Sequence, residues 1–194
     1  QDAALGAWSS DGTSAALWSR AGVLQVWTGL PASPTLSFSQ TAEAAAGIAL
    51  ADGGASALVW SDTGLLAVDA NGIRALHTEP VSAAAYRAGS SDWAAVTPTQ
   101  LLRSTVEPRP LTVSGPGAVA FSQEAVLVAG KGAVEVIGES SASVPCECDG
   151  TSLEPLAGTN IFRLTDLQAP SLAVYDGSEA EPRILYIPSE GRRQ

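Results

Sequence analysis

Ser-Ala-Ala-Leu-Trp-Ser occupies residues 14–19, and Ser-Ala-Leu-Val-Trp-Ser occupies residues 56–61. Each stretch follows a tight-turn dipeptide, Asp11-Gly12 before the first and Asp52-Gly53 before the second, and such dipeptides join the strands of β-hairpins. A period of about 40 residues indicates a chain built from repeated supersecondary units that stack on one another.

The rest of the chain continues the same order of short apolar runs, which Gly, Asp, Asn, Ser and Pro separate. Runs of about 4–8 residues bounded in this way predict β-strands. The Ala-rich stretch 41–51 is the one serious helix candidate, but it aligns with strand positions in the other units, so we predict a strand there. Grouped by the repeat, the runs form five four-stranded units, with boundaries at residues 1–40, 41–80, 81–116, 117–150 and 151–191.

A single four-stranded meander leaves both of its faces uncovered, and stacking such sheets face to face around an axis buries them. The sequence therefore predicts an all-β fold, a β-propeller of about five antiparallel blades in one domain spanning residues 1–194. Both a closed five-bladed ring and part of a six- to seven-bladed ring fit this count. A β-sandwich, which also uses short strands with frequent turns, is the alternative.

Stretches near both ends of the chain resemble a known family. Residues 11–19 read Asp-Gly-Thr-Ser-Ala-Ala-Leu-Trp-Ser, residues 23–31 read Val-Leu-Gln-Val-Trp-Thr-Gly-Leu-Pro, and residues 146–148 and 162–165 read Cys-Glu-Cys and Phe-Arg-Leu-Thr. The chain resembles bacterial WD40-like and YVTN-like β-propeller repeat proteins, in particular exported propellers of acidobacterial type. The resemblance implies the fold, additional N-terminal repeats in those relatives, and no activity to carry over. The Gly-His…Trp-Asp signature of eukaryotic WD40 repeats is absent, so no partner specificity is implied.

The charge balance narrows the classes of partner. Twenty acidic residues oppose ten basic ones, for a net charge of −10, which argues against nucleic acid and against docking on anionic lipid. No apolar run approaches the roughly 20 residues that span a bilayer, so we expect no membrane insertion. The chain starts at Gln1 and has no Met, which predicts processing or an origin in a longer chain. A removed signal peptide is one explanation and fits a periplasmic or secreted location; a lost N-terminal region is another.

Cys146 and Cys148 are the only cysteines. Residues two apart on a flat strand share a face at roughly 6.6 Å, near the upper limit of Cα separation for a disulfide, and the flanking Pro145 and Asp149-Gly150 indicate a bend. Three roles stay open: a local disulfide or inert pair, a bond to another segment or partner, and redox or metal chemistry. No second cysteine pair or nearby histidine completes a structural zinc site.

The sequence around the other potentially reactive residues favours structural roles for them. His77, the only histidine, ends a predicted outer strand, so we expect a surface position rather than Ser–His–Asp chemistry. Aspartates at turns are normally local backbone acceptors rather than calcium ligands, and Gly130-Lys131-Gly132 predicts a hairpin turn rather than a phosphate loop. We therefore predict no catalytic residue, no cofactor and no metal site. Trp18 and Trp60 hold equivalent repeat positions, which favours packing between blades, and Trp27 is the candidate for an exposed contact.

The function that follows is a non-catalytic binding or scaffold propeller outside the cytoplasm, which contacts a protein or ligand through loops at one end of the ring. One alternative is a carbohydrate-binding propeller or glycosidase, with acids from different blades. The other is an assembly subunit completed by another chain, in which case a terminal blade should carry an exposed apolar face. A protein partner or homo-oligomer is expected, and a small-molecule or sugar ligand stays open as a further alternative.

Overall fold

Five four-stranded sheets make up the part of the chain that the structure, a computed structural model, describes. The described residues are 3–42, 44–122, 125–139, 141–146, 148–150, 152–156, 159, 161–165, 172–176 and 183–186. Within each sheet, each strand is hydrogen-bonded to the strand that precedes or follows it in the sequence. The pairing is antiparallel. The all-β prediction is thereby confirmed.

The strands follow one another in chain order. Sheet 1 contains β1 (Ala3–Trp8), β2 (Ser14–Ser19), β3 (Val23–Thr28) and β4 (Thr35–Thr41). Sheet 2 contains β5 (Gly47–Leu50), β6 (Ser56–Ser61), β7 (Gly64–Asp69) and β8 (Gly72–His77). Sheet 3 contains β9 (Ala83–Tyr86), β10 (Trp93–Val96), β11 (Gln100–Arg103) and β12 (Arg109–Pro110). Sheet 4 contains β13 (Ser114–Phe121), β14 (Val126–Lys131), β15 (Ala133–Ile137) and β16 (Ser141–Pro145). Sheet 5 contains β17 (Glu154–Pro155), β18 (Ile161–Thr165), β19 (Leu172–Asp176) and β20 (Arg183–Tyr186).

Two compact units divide the chain, residues 1–97 with 102–107 and residues 98–101 with 108–194. Sheets 1 and 2 lie wholly in the first unit, and sheets 4 and 5 lie wholly in the second. The prediction of one domain spanning residues 1–194, with repeat boundaries at 40, 80, 116 and 150, stays a prediction.

The first unit has its largest core between sheets 1 and 2. Trp18, Leu24, Val26 and Phe38 of sheet 1 pack in one cluster with Ile48, Leu50, Ala57, Val59 and Val68 of sheet 2. A second cluster joins the other side of sheet 2, through Leu58 and Leu65, to Ala84 and Ala95 of sheet 3. Sheet 2 is thus covered on both faces, as blades in a stack are.

The second unit buries a core of its own. Leu127, Ala129, Val134 and Val136 of sheet 4 cluster with Phe162 and Leu164 of sheet 5. The hairpin predicted at Gly130-Lys131-Gly132 is confirmed, because β14 passes directly into β15 there and Gly132 has a φ of +77°.

The Ala-rich stretch 41–51 is strand only in part. β4 ends at Thr41 and β5 begins at Gly47, and the described residues between them form a connection. The start of β5 coincides with close packing, because a Cβ at position 47 would overlap the Trp60 indole.

Two strands are very short. β12 and β17 have two residues each. Pro110 and Pro155 lie within them, and a proline nitrogen cannot donate to a strand ladder.

Candidate functional site

One face of sheet 1, here called the exposed face, carries large apolar side chains into solvent. The strand register aligns its residues in two rows across the four strands, Trp8–Ala15–Trp27–Leu36 and Gly6–Leu17–Gln25–Ser39. Trp8 is 68% exposed, Leu36 46% and Leu17 42%. None of these eight residues is charged, although the chain as a whole has a net charge of −10.

The repeat assigns each residue of this face a partner position in sheet 2. Trp8 pairs with Ala15 as Leu50 pairs with Ala57, and Leu17 pairs with Gly6 as Val59 pairs with Ile48. Those sheet 2 residues are buried against sheet 1, with Leu50 5% and Val59 1% exposed. The exposed face of sheet 1 is therefore the equivalent of a face that another sheet covers one repeat later.

The tryptophans separate into packing and surface positions. Trp18 is buried in the core between sheets 1 and 2, and Trp60 is half-buried over Gly47. Trp27, the predicted exposed contact, is half-buried beside Ala15 in the row described above. Trp8, at 68%, is the most exposed of the five tryptophans, although the repeat pattern does not single it out. Strand alternation places Trp8 on the same face as Gly6, but no signal in the sequence distinguishes an exposed face from a covered one.

A network of hydrogen bonds joins the turns at one end of the first unit. Asp52, between β5 and β6, accepts hydrogen bonds from Ser10 Oγ at 2.6 and 2.8 Å and from the Asp11 amide at 3.1 Å. The Gly89 amide, between β9 and β10, donates to it at 2.6 Å. The Ser10 bond, followed by the Gly89 bond, holds the pKa of Asp52 below its usual range. One carboxylate thus links turns of sheets 1, 2 and 3.

Asp11 organises its own turn in the same way. Ser9 Oγ donates to it at 2.6 Å, the Thr13 amide at 3.0 Å and Thr13 Oγ1 at 2.9 Å. These bonds, that from Ser9 above all, lower the pKa of Asp11 to about 2. Asp11 and Asp52 are therefore both ionised at neutral pH. A glycosidase needs one carboxylic acid with a raised pKa as proton donor, and neither residue meets that requirement.

Cys146 and Cys148 are joined by a disulfide, with their Cα atoms 5.3 Å apart. β16 ends at Pro145, so the pair lies on a bend rather than on a flat strand. The Cys146 amide donates to the Gly132 carbonyl, and the Gly132 amide donates to the Cys148 carbonyl, both at 3.0 Å. The bridged segment is thereby anchored on the β14–β15 hairpin. A redox or metal role for the pair stays a prediction.

Two further titratable residues, His77 and Glu135, are partly or fully buried. The His77 side chain is half-buried at the end of β8 rather than on the surface, with Nε2 3.8 Å from a Glu79 carboxylate oxygen. Glu135, in the middle of β15, is 3% exposed and accepts hydrogen bonds from the Thr112 amide at 2.8 Å and from Thr112 Oγ1 at 3.0 Å. No motif in the sequence points to Glu135, whose contact fastens the segment before β13 to sheet 4.

A cleft of about 290 Å³ lies in the first unit, where the connection after β4 meets sheet 2. Thr41, Ala42, Val59, Leu66 and Ile73 contribute to its walls. Within the described ranges, no group of three or more His, Cys, Asp or Glu side chains is placed to hold a metal ion. The described residues also include no helix with the length and apolar character needed to cross a membrane.

Comparison with solved structures identifies the fold. The chain is similar to the WD40 repeats of RRP9 at 14% identity and a TM-score of 0.71, which covers 96% of this chain and 66% of that one. It is similar to a chain of the Mitotic Checkpoint Complex at 14% identity and a TM-score of 0.74, with 95% and 64% covered. A chain of a Nidogen/Laminin complex matches at 9% identity and a TM-score of 0.65, with 95% and 79% covered. No family model and no curated protein matches the sequence.

These similarities define a fold, the WD40-like β-propeller. The chain is an all-β propeller with about five four-stranded blades, as the repeat predicts. It spans about two thirds of the length of the first two propellers named above. At these identities the likeness shows the fold and nothing further about activity or partners.

Proposed function

We propose that this chain is a non-catalytic interaction scaffold that binds a protein partner through the exposed face of sheet 1. The observation that supports this proposal most directly is the exposure of Trp8, Leu17 and Leu36 on one uncharged sheet face. Large exposed apolar patches mark interaction sites on soluble proteins. Tryptophan is enriched among the residues that dominate binding energy, and charged residues are depleted at interface cores.

The titratable groups support the non-catalytic part of the proposal. Asp11 and Asp52 have lowered pKa values and several hydrogen-bond donors each, so they serve as acceptors that hold turns together. The buried Glu135 carboxylate is engaged by Thr112. Structures similar to this chain include one taken from a mitotic checkpoint complex and one from a nidogen–laminin complex, which fits a scaffold role by analogy of fold.

The turn network offers a second surface for the same function. Loops at one end of a propeller carry binding residues on a fixed framework. Asp52 links the turns at Ser10, Asp11 and Gly89, and a loop end that is ordered before binding loses less entropy on association. This observation favours the loops of that end as a further contact region.

We further propose that the protein acts outside the cytoplasm, in the periplasm or as a secreted protein. The Cys146–Cys148 disulfide supports this location, because disulfides persist in oxidising compartments. Mass analysis of the protein taken from its native compartment tests the point. Two free thiols there would contradict the location.

Photo-crosslinking tests the proposed face even though the partner has not been identified. A photoreactive amino acid at position 36 should crosslink the chain to other proteins in extract of its source. The matched control is position 73 on sheet 2, where Ile73 is 40% exposed and Leu36 is 46% exposed. Products from position 36 that Trp8→Ser removes support the proposal; equal products from both positions contradict it. Oligosaccharide binding that quenches Trp8 fluorescence, without any protein crosslink, would instead favour the carbohydrate-binding alternative.

A further inference from the structure

We infer that Cys146 and Cys148 form a thiol–disulfide exchange site, which a dithiol reduces while the surrounding backbone keeps its fold. The site and the contacts that hold it lie wholly in the second unit, so the inference does not depend on the exposed face of sheet 1. It rests on how the bridged segment is held, on the short loop that the bridge closes and on the surroundings of the two sulfur atoms.

Backbone contacts, and not the disulfide alone, hold the bridged segment on the β14–β15 hairpin. The Cys146 amide donates to the Gly132 carbonyl and the Gly132 amide donates to the Cys148 carbonyl, both at 3.0 Å. Further along, Gly150 is buried against the hairpin, where an added Cβ would lie 2.8 Å from the Gly130 backbone. Gly150 also has a φ of +82°, a conformation that favours glycine. None of these contacts requires the bridge, so they keep the two cysteines side by side in the reduced form as well.

The bridge itself contributes little to the stability of the fold. Its cysteines are two residues apart, and a bridge that closes so short a loop removes little entropy from the unfolded chain. Apolar packing of Leu127, Val134 and Phe162 provides the core that both cysteines border. A disulfide resists reduction to the extent that its loss would destabilise the folded state. Because little stability depends on this bridge, it belongs with the reducible disulfides rather than with the structural ones.

The surroundings of the two sulfur atoms suit exchange. The Cys146 and Cys148 side chains are half-buried, so part of each stays accessible to an attacking thiolate. Cys148 Sγ lies 3.5 Å from the Gly130 carbonyl oxygen. A thiol has a hydrogen to donate and a disulfide sulfur has none, so reduction creates a hydrogen bond from Cys148 to Gly130. The same oxygen disfavours a thiolate at Cys148, which makes Cys146 the better leaving group of the pair.

Reduction proceeds by two exchanges in which atoms and electrons balance. A thiolate of the dithiol attacks Cys148 Sγ, the bond to Cys146 Sγ breaks, and the electron pair leaves with Cys146, which takes up a proton. The second thiolate of the dithiol attacks the dithiol's first sulfur atom in this mixed disulfide and releases Cys148, which takes up a proton and donates to Gly130. Two electrons and two protons have then passed to the bridge, and the dithiol has become a disulfide. Because the second exchange is intramolecular only for a dithiol, the substrate class is a pair of neighbouring thiols.

A redox titration of the intact chain is the main test. The protein is equilibrated in glutathione buffers of graded redox ratio without denaturant, and free thiols are trapped by alkylation and counted by mass. We expect a form with two free thiols in the reduced buffers, where structural disulfides stay oxidised. Its far-UV circular dichroism should match that of the oxidised form, and amide exchange at Gly132 should quicken yet stay slower than in the unfolded chain. A bridge that opens only in denaturant, or a reduced form that has lost its sheets, would overturn the inference.

Reduction rates test the substrate class. At equal thiol concentration, dithiothreitol should open the bridge at least about tenfold faster than 2-mercaptoethanol, because its second exchange is intramolecular. Equal rates for the two reductants would overturn the assignment of a dithiol.

Single-cysteine variants test the order of attack, and each is the control for the other. Iodoacetamide should alkylate Cys146 in Cys148→Ser about two- to tenfold faster than Cys148 in Cys146→Ser, the range that one hydrogen bond provides. Equal rates would overturn the role given to the Gly130 carbonyl. These measurements involve neither sheet 1 nor the native compartment, so their failure leaves the proposed function standing.

Discussion

Equivalent faces of sheets 1 and 2 differ in their exposure to solvent. In sheet 2 the residues Ile48, Leu50 and Val59 are buried, and in sheet 1 their counterparts Gly6, Trp8 and Leu17 are exposed. The two sheets share their strand order, register and apolar character. The difference in exposure therefore depends on whether another sheet packs against the face, and not on the sheet itself. In repeat proteins each unit is stabilised by packing against its neighbours, and the two faces differ in that contact.

The largest difference is expected between two leucine truncations. Leu50→Ala removes side-chain volume from the covered face and should lower the free energy of unfolding by about 2–5 kcal/mol. Leu17→Ala acts on the exposed face, where Leu17 is 42% exposed, and should cost less than about 1 kcal/mol in the monomer. Chemical denaturation at low protein concentration measures both. Similar losses for the two variants would show that the two faces are covered alike.

Two glycines in the first strands of sheets 1 and 2 differ in the space that a Cβ would find. A Cβ at Gly47 would overlap the Trp60 indole, and one at Gly6 would meet its nearest atom, Leu17 Cδ2, at 3.7 Å. Gly47→Ala should therefore destabilise the protein by about 1–3 kcal/mol through overpacking, and Gly6→Ala should be nearly neutral. Thermal unfolding of both variants measures these changes in stability. A Gly47→Ala variant as stable as the unsubstituted protein would refute the packing described for Trp60.

Reduction of the Cys146–Cys148 disulfide should have a smaller effect. The bridge closes a very short loop, because the two cysteines are two residues apart, and the chain-entropy model gives less than about 2 kcal/mol for such a loop. Faster amide exchange at Gly132, whose amide donates to the Cys148 carbonyl, is the local signature of reduction. A loss of unfolding free energy well above about 2 kcal/mol in Cys148→Ser would contradict the prediction.

Removal of the Asp52 carboxylate should eliminate the hydrogen bonds that connect the turns of sheets 1, 2 and 3. Asp52→Ala deletes an acceptor of bonds from Ser10, Asp11 and Gly89, and since the site is partly solvated we expect a loss of about 1 kcal/mol. Asp62→Ala, in an exposed turn of sheet 2, is the control. Equal unfolding midpoints for the two variants would remove the structural role of Asp52.

The smallest predicted effect is a loss of stability at acidic pH. The pKa of Asp11 is lowered from 3.8 to about 2, so the unfolded chain takes up a proton at this group before the folded chain does. Its contribution to stability is complete above about pH 4 and is lost as the pH falls toward 2. Asp11→Asn should flatten this part of the curve of melting temperature against pH. An unchanged slope between pH 4 and pH 2 would be at odds with the hydrogen bonds from Ser9 and Thr13.

Much of the fold could be predicted from the sequence, because strand and turn signals are local. The pair Ser14–Ser19 and Ser56–Ser61 reveals the repeat, and both stretches form the second strand of their sheet, as β2 and β6. The short lengths of β12 and β17 could not be predicted from the apolar pattern, because Pro110 and Pro155 lack the amides that would extend the ladder.

The candidate site was predicted less well, because exposure depends on neighbours that are distant in sequence. Trp27, the candidate for an exposed contact, is half-buried, and Trp8 in the same row is more exposed. Nothing in the local sequence distinguishes Trp8 from its buried counterpart Leu50. The Asp52 network joins residues about 40 positions apart, and no local pattern encodes such a contact.

Oxidative footprinting of the tryptophans tests the contrast between the covered and exposed faces most directly. In dilute solution we expect strong labelling of Trp8 and almost none of Trp18, which is 5% exposed. Equal labelling of Trp8 and Trp18 would contradict the contrast between the two faces.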